Sequence, residues 1–365
     1  MLARKAGIPV SVFETSSPAA ADVAAGLPNL VVGVLALLAS ACGDPALRLV
    51  ELSGTTMGTI YNVKLVGMPA ELEKKTLHAL IDEKLIAINA QMSTYDRESE
   101  LSRFNTSRST DWVETSTDLA AVIREAQHVS ELTAGAFDVT VAPLVDLWGF
   151  GPDDRQDRIP SPREIAAMAA RIGYTHVRAR GSPPAIRKDL PNLHIDLSAI
   201  AKGYAVDQIT ELLESLGIAN YLVEIGGELR GRGHNDTGSR WRIGIEQPAF
   251  GSRDVHTVIT INDVGVATSG DYRNYFEKDG VRYSHTINPR TGRPVTHTLA
   301  SVTVIGYSTA EADALATGLM VLGPEEGYRL AEREGIAACF IVRTADGFID
   351  RQTLAFARHR VDRST

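Results

Sequence analysis

Three segments of this 365-residue chain carry residue types whose spacing could do chemistry. In the first, Asp196-Leu197-Ser198-Ala199-Ile200-Ala201-Lys202-Gly203-Tyr204-Ala205, an alternating stretch runs into a helical one. The free N–H groups and the dipole of a helix N-terminus favour phosphate, Lys202 adds positive charge near the first turn, and Asp196 could accept hydrogen bonds from a polar ring. The same residues also suit an ordinary helix start, with Ser198 as N-cap and Lys202 solvated. In the second, Glu311-Ala312-Asp313-Ala314-Leu315-Ala316-Thr317-Gly318, the spacing puts Asp313 and Thr317 on one helix face. That face is otherwise small and apolar, where an unpaired carboxylate is costly. A hard cation such as Mg²⁺, held by the carboxylate, the hydroxyl and a nearby backbone carbonyl, would remove the cost; an exposed Asp paired with an Arg is the alternative. The third runs from Val266-Ala267-Thr268-Ser269-Gly270-Asp271-Tyr272 to Ser284-His285-Thr286-Ile287-Asn288-Pro289-Arg290-Thr291-Gly292-Arg293-Pro294. Asn288–Gly292 is turn chemistry, and His285 before it could act as a general base or simply be structural.

These segments need elements to hold them. Val50–Leu52 and Ile60–Val66 form a strand pair around the turn-prone Ser53–Gly58, and Ala70–Gln91 has helical apolar spacing. Asp118–Leu132 is a second helix with Thr117 as N-cap, and Pro162–Ile172 a third opened by Ser161-Pro162. Leu193–Leu197 alternates as a strand and leads into a helix Ser198–Leu216 ended by Gly217. Tyr221–Ile225, Trp241–Ile245, Val258–Ile261 and Ser301–Ile305 are further strands. Ser308–Leu322 is the clearest helix, with an S-x-x-E capping box at Ser308/Glu311 and a stop at Gly323-Pro324. Long helices among hairpin-spaced strands predict an α+β fold with antiparallel sheets and packed helices.

Composition narrows the function. Hydrophobic residues make up 44% and charged ones 22%, an ordinary globular balance, and the net charge of −8 argues against nucleic acid as a partner. The P-loop, G-x-G-x-x-G, H-E-x-x-H and G-x-S-x-G patterns are absent. Two cysteines cannot make a zinc cluster; Cys339, in an apolar run, is expected to be a buried small hydrophobe. Leu30–Leu38 is an apolar stretch too short to span a bilayer, followed by Ala39-Ser40-Ala41-Cys42, so residues 1–41 are expected to be a cleaved export signal. Small residues before Cys42 resemble a lipobox, with Ala39 where Leu is usual and a long preceding segment.

Together the segments resemble the ApbE family, the FAD:protein FMN transferases. The resemblance rests on Thr56-Met57-Gly58-Thr59, Met92–Asp96 with Ser99–Asn105, Gly135–Leu144 with Trp148–Gly151, Asp196–Ala205, Glu224-Ile225-Gly226-Gly227-Glu228, Thr268–Asp271, His285–Pro294 and Asp313–Thr317, in order from about residue 50 to 345. It implies an ApbE-type, T-fold-like α+β domain over residues 42–365, with FAD extended in a cleft between two lobes. Met57, Tyr95, Ala136, Phe137, Asp138, Asp196, Lys202 and Ile287 match positions that contact the flavin nucleotide. Asp313 and Thr317 match the metal-ligand side chains, Ala199 the residue lending its carbonyl, and His285 the candidate base; Ala316 stands where some relatives carry an acid. The implied reaction is Mg²⁺-dependent transfer of FMN from FAD to a Thr or Ser hydroxyl of a target redox protein, such as a subunit of a sodium-pumping quinone reductase, with release of AMP. FAD pyrophosphatase activity and a non-catalytic flavin-binding lipoprotein are the alternatives. The expected location is the periplasmic face of the bacterial inner membrane, anchored through lipid at Cys42, or the soluble periplasm.

Overall fold

The computed structural model describes residues 48–151, 158–248, 254–271 and 274–360. The apolar stretch Leu30–Leu38, Cys42 and Tyr272 lie outside them. An eight-stranded sheet forms the centre, in the order Leu49–Thr56, Thr59–Val66, Asn220–Ile225, Glu228–Arg232, Val264–Gly270, Leu299–Gly306, Ala337–Thr344 and Gly347–Gln352. Every neighbouring pair is antiparallel. Both faces are covered, and the side-chain alternation of a strand sorts residues between them. Val302, Val304, Ala338 and Phe340 join the core beneath the helices, whereas Ile305, Ala337, Cys339 and Ile341 join one beneath the hairpin Trp241–Glu246/Val255–Ile261. That double cover explains the unbroken apolar run around Cys339, which is buried and free as expected.

Helices Lys74–Met92, Ala201–Ser215 and Thr309–Arg333 pack on the other face, with Thr117–Leu132 against the last of them. The α+β class with antiparallel sheets is therefore as the sequence predicts. A smaller apolar cluster of Leu144, Trp148, Phe150, Ile165, Ile172, Phe276 and Ile287 joins the short helices Ala142–Leu147 and Pro162–Ala169 to the hairpin Tyr275–Lys278/Val281–Ser284. Among the described residues, no helix is long and apolar enough to cross a membrane.

Several local expectations are corrected. The first hairpin turns over Met57 and Gly58 alone, at φ 48° and 72°, because Ser53–Thr56 continue the ladder. Ser116, not Thr117, caps the Thr117–Leu132 helix by accepting from Leu119 N. Leu193–Leu197 is not part of any sheet, although its burial alternates. Side chains replace the ladder: the Asn105 amide donates to Ile195 O at 2.8 Å and accepts from Ile195 N at 2.9 Å. The fully buried Lys188 ammonium donates to Phe104 O, Asn105 O and Leu193 O at 3.1–3.2 Å. The following helix starts at Ala201 rather than Ser198, and Ser198 donates back to Asp196 instead of capping it.

Within Thr309–Arg333 the first helix stops at Gly323, at φ 79° and ψ −176°, as the sequence predicts, and Pro324 opens a second helix that follows directly. At the start of the first, Ser308 accepts from Glu311 N at 3.1 Å, while Asp207 of the neighbouring helix accepts from Thr309 N and Ala310 N at 3.0 Å each. The two helices touch through backbone: a Cβ on Gly203 would stand 2.3 Å from Thr309 O and 2.8 Å from Ala310 Cα. Gly203→Ala therefore forces the helices apart. The expected outcome is a loss of about 1–3 kcal/mol, read as a lower urea midpoint with unchanged slope.

Candidate functional site

The backbone contact at Gly203 places a carboxylate beside a helix start. Asp313, 5% exposed, sits one turn inside its helix and accepts from Gly203 N at 3.2 Å through Oδ2. In an uninterrupted helix that amide would go to the carbonyl four residues back, which is Ala199 O. Here the chain reaches helical geometry only at Ala201, after the Ser198–Ile200 turn, and no donor reaches Ala199 O among the described residues. The Gly203 amide is thus given to a buried carboxylate, and Ala199 O is left without a donor among the described residues. Thr317 lies one turn beyond Asp313 on the same face and is half-buried.

Positive charge comes from the same helix as Gly203. Lys202 Nζ is 2.9 Å from Glu228 Oε1 and 3.6 Å from Asp313 Oδ2. Burial alone would pull this ammonium down, but the Asp313 and Glu228 carboxylates outweigh it and hold Lys202 above the usual lysine range. Burial pushes both acids up, against the opposing pull of Lys202. Glu228 follows a Gly226-Gly227 turn at φ 61° and 105°, whose geometry Glu224 fixes by accepting from Gly227 N at 2.8 Å and Asn62 Nδ2 at 2.6 Å. Gly226 has no room for a side chain, because a Cβ would meet Thr59 at 2.9 Å and Lys202 Cδ at 3.3 Å. The Met57-Gly58 turn lies at this same end of the sheet, and Asn89 donates to Thr56 Oγ1 beside it at 2.9 Å.

A second group of expected residues lies against the other side of the long helix. A Cβ on Gly318 would stand 2.8 Å from Thr133 Cγ2 and 3.2 Å from Phe137 Cβ, so the loop Thr133–Asp138 packs directly on it. Ala136 and Phe137 are buried in that loop, and Asp196 N donates to Val139 O at 2.7 Å, tying it to the first segment. The Asp138 carboxylate accepts from Thr140 N, Thr140 Oγ1 and Tyr174 N at 2.6–3.0 Å; burial pushes its pKa up despite these bonds. Arg290 of the Asn288–Gly292 turn donates to Thr133 O and Ala134 O at 2.7 and 3.1 Å, and Trp148 Nε1 donates to Gly292 O at 2.8 Å. These bonds dock the His285–Pro294 segment on the Thr133–Asp138 loop, with Ile287 buried beneath.

Tyr95 and His285 lie outside the buried Lys202–Glu228–Asp313 cluster. Tyr95, 62% exposed, follows the Lys74–Met92 helix, its N–H donating to Ser93 Oγ. His285 is half-buried, edge-on to Phe150, with Nδ1 3.0 Å from Asn274 O. A carbonyl only accepts, so Nδ1 carries the proton and Nε2 of the neutral ring keeps its lone pair. Glu228, Gly203, Asn105 and Lys188 were given no role by sequence reasoning. A glycine inside the first turn of an otherwise strong helix was the signal for Gly203, since it marks close approach.

Among the described residues no group of three or more His, Cys, Asp or Glu could hold a metal ion. A cation here would depend on one carboxylate, one hydroxyl and one carbonyl, leaving most positions to water and phosphate. That donor set fits Mg²⁺, which keeps several waters and seldom takes an all-protein cage.

The site lies within the span that known proteins share with this chain. The ApbE family matches residues 57–340. The FAD:protein FMN transferase of Vibrio cholerae is 49% identical over 320 residues, 88% of this chain and 95% of that one. The FAD:protein FMN transferase of Haemophilus influenzae is 43% identical over 338 residues, 91% and 97% of the two chains. Of solved structures, flavin transferase ApbE from Vibrio cholerae has a TM-score of 0.80 at 48% identity, covering 86% of this chain and 99% of its own. Pseudomonas stutzeri flavinyl transferase ApbE in its apo form has a TM-score of 0.79 at 42% identity, covering 86% and 97%. With the match extending from the Met57 turn past Thr317, this chain belongs to the ApbE family.

Proposed function

We propose that this protein transfers the FMN moiety of FAD to a Thr or Ser hydroxyl of a target redox protein and releases AMP, with Mg²⁺ as the cation. The observation that carries this reading is the buried Asp313 carboxylate, which accepts from Gly203 N in place of the donor-free Ala199 carbonyl and lies 3.6 Å from the Lys202 ammonium. Holding a flavin alone needs no such cation cradle at its pyrophosphate, which favours chemistry over storage. The transferase names of relatives at 43–49% identity support the same reading.

The residues divide the work. Asp313, the Thr317 hydroxyl and the Ala199 carbonyl would hold Mg²⁺, which supplies neutralisation of charge on the pyrophosphate oxygens. Lys202 adds a fixed positive charge in a largely buried setting, where it acts more strongly than in water. Neutral His285 takes the proton of the acceptor hydroxyl through Nε2. The hydroxyl oxygen bonds to the FMN phosphorus in line with the departing oxygen, the bond to AMP breaks, and AMP leaves. If water took the place of the target hydroxyl, the same residues would yield FMN and AMP. A lipid anchor at Cys42 and a periplasmic setting are part of the proposal, on the strength of the apolar stretch and the small residues before Cys42.

Mass spectrometry of a co-expressed target should show one FMN added on Thr or Ser, with AMP formed in equal amount. AMP release at the same rate without acceptor would make the protein a hydrolase. Asp313→Ala is expected to lower transfer by on the order of 10²-fold or more, while flavin fluorescence still reports binding; unchanged turnover would remove the cation assignment. His285→Gln should slow single-turnover AMP formation about 10²–10⁴-fold.

A further inference from the structure

Lys202 stands between two buried acids, and only one of them belongs to the cation cradle. Its ammonium is 2.9 Å from Glu228 and 3.6 Å from Asp313, and both carboxylates are at least nine-tenths buried. The second oxygen of Glu228 is buried with no hydrogen-bond partner among the described residues. An ammonium beside the sole carboxylate of a divalent cation site is a competitor: it neutralises the ligand, and it repels the incoming ion in surroundings that screen charge poorly. The lysine has little freedom to withdraw, because its stem lies against Gly226 and its side chain is 21% exposed. Glu228 is equally constrained. It begins a strand directly after the Gly226-Gly227 turn that Glu224 holds through Gly227 N.

We propose that Glu228 is a positioning residue of the cation site: it anchors the Lys202 ammonium, so that lysine and divalent cation share the surroundings of Asp313 without competing for its carboxylate. The inference rests on the reading of Asp313 as a cation ligand. With Glu228 in place, Lys202 remains charged and free to face an anionic substrate oxygen while Asp313 serves the metal. Without it, the nearest anion left to Lys202 is Asp313, and a cation must displace it.

The test is the Mg²⁺ dependence of the full chain, measured by calorimetric titration of the flavin-free protein and by the Mg²⁺ concentration giving half-maximal AMP release. Glu228→Asp keeps the charge and withdraws it by one methylene; Glu228→Gln removes the charge. Both should raise the Mg²⁺ requirement about tenfold, as loss of one charge-assisted anchor implies, with the rate at saturating Mg²⁺ recovering. Removing the competitor should undo the effect, so Glu228→Gln/Lys202→Met should return the Mg²⁺ requirement to within about threefold of the unaltered protein, whatever its flavin affinity. Lys202→Met alone should bind Mg²⁺ at least as tightly as the unaltered protein, and this arm stands even where the Glu228 variants fail to fold. Unchanged Mg²⁺ dependence in a folded Glu228→Asp overturns the inference, as does weaker Mg²⁺ binding in Lys202→Met. A double variant as weak as Glu228→Gln overturns it in favour of Glu228 as a direct ligand. An unaltered protein indifferent to Mg²⁺ removes the cation reading itself, and this inference with it.

Discussion

The site depends on how closely two helices can approach. Asp313 is buried on a helix face shared with Ala310, Ala316 and Met320, where water cannot stabilise its charge. What stabilises it comes from the neighbouring helix: the Gly203 amide at 3.2 Å and the Lys202 ammonium at 3.6 Å. Both reach it only because Gly203 lacks a side chain and lets the helices meet backbone to backbone at Thr309 and Ala310. Asp207, one turn further along the same helix, fastens the contact by capping the start of the long helix. One glycine therefore sets the distance between the carboxylate and the ammonium. The rest of the fold holds these two helices at that separation on a sheet whose other face is also buried.

The elements that the sequence announced were those with a single dominant local signal. The long helix has Ser308 at its start and unbroken apolar periodicity, and the strands around Cys339 and Val304 are apolar because both faces are covered. Local signals misled where tertiary contacts replaced backbone ones. Leu193–Leu197 has the alternation of a strand, yet Asn105 and Lys188 supply the bonds a neighbouring strand would have made. Ser198 has the right type for an N-cap, yet Asp196 claims its N–H and hydroxyl, and the helix begins three residues later. Gly323-Pro324, by contrast, ends one helix and opens the next, as its composition announced. The pairing of Asp313 with Thr317 was legible from helical spacing alone. The partnership of Lys202 with Glu228 was not, because it links a helix to a hairpin 26 residues away in sequence and no local period reports it.

The flavin-side residues show a different division of labour. Asp138 spends both carboxylate oxygens on Thr140 and Tyr174, so its side chain shapes the loop that carries Phe137. Arg290 does similar work from a distance, bonding the carbonyls of Thr133 and Ala134 where the preceding helix ends. Thr133 O also accepts from Ala136 N at 3.1 Å, and a guanidinium fork is well suited to take two adjacent carbonyls at once. The consequence is that the turn after His285 is fastened to the loop that packs on Gly318, one residue beyond Thr317. The segments carrying His285 and Asp313 pack on separate apolar clusters, and that turn ties the two together.

On the proposed reading, a cation cradle with a single carboxylate makes sense on charge grounds. Asp313, Glu228 and Lys202 already form a buried group of two acids and one base. A third acid at position 316, where the chain has Ala316 at 1% exposure, would add a negative charge with no partner in reach of water. The smaller donor set leaves room for substrate oxygens, and these arrive bearing negative charge of their own. A site already neutralised by protein carboxylates would repel them; one that holds a cation mainly through a hydroxyl, a carbonyl and one acid keeps net positive charge for the pyrophosphate. On the same proposal Lys202 adds to that charge only while Glu228, 2.9 Å away, holds it in place, which would make the hairpin carboxylate as much a part of the substrate's environment as the helix that faces it.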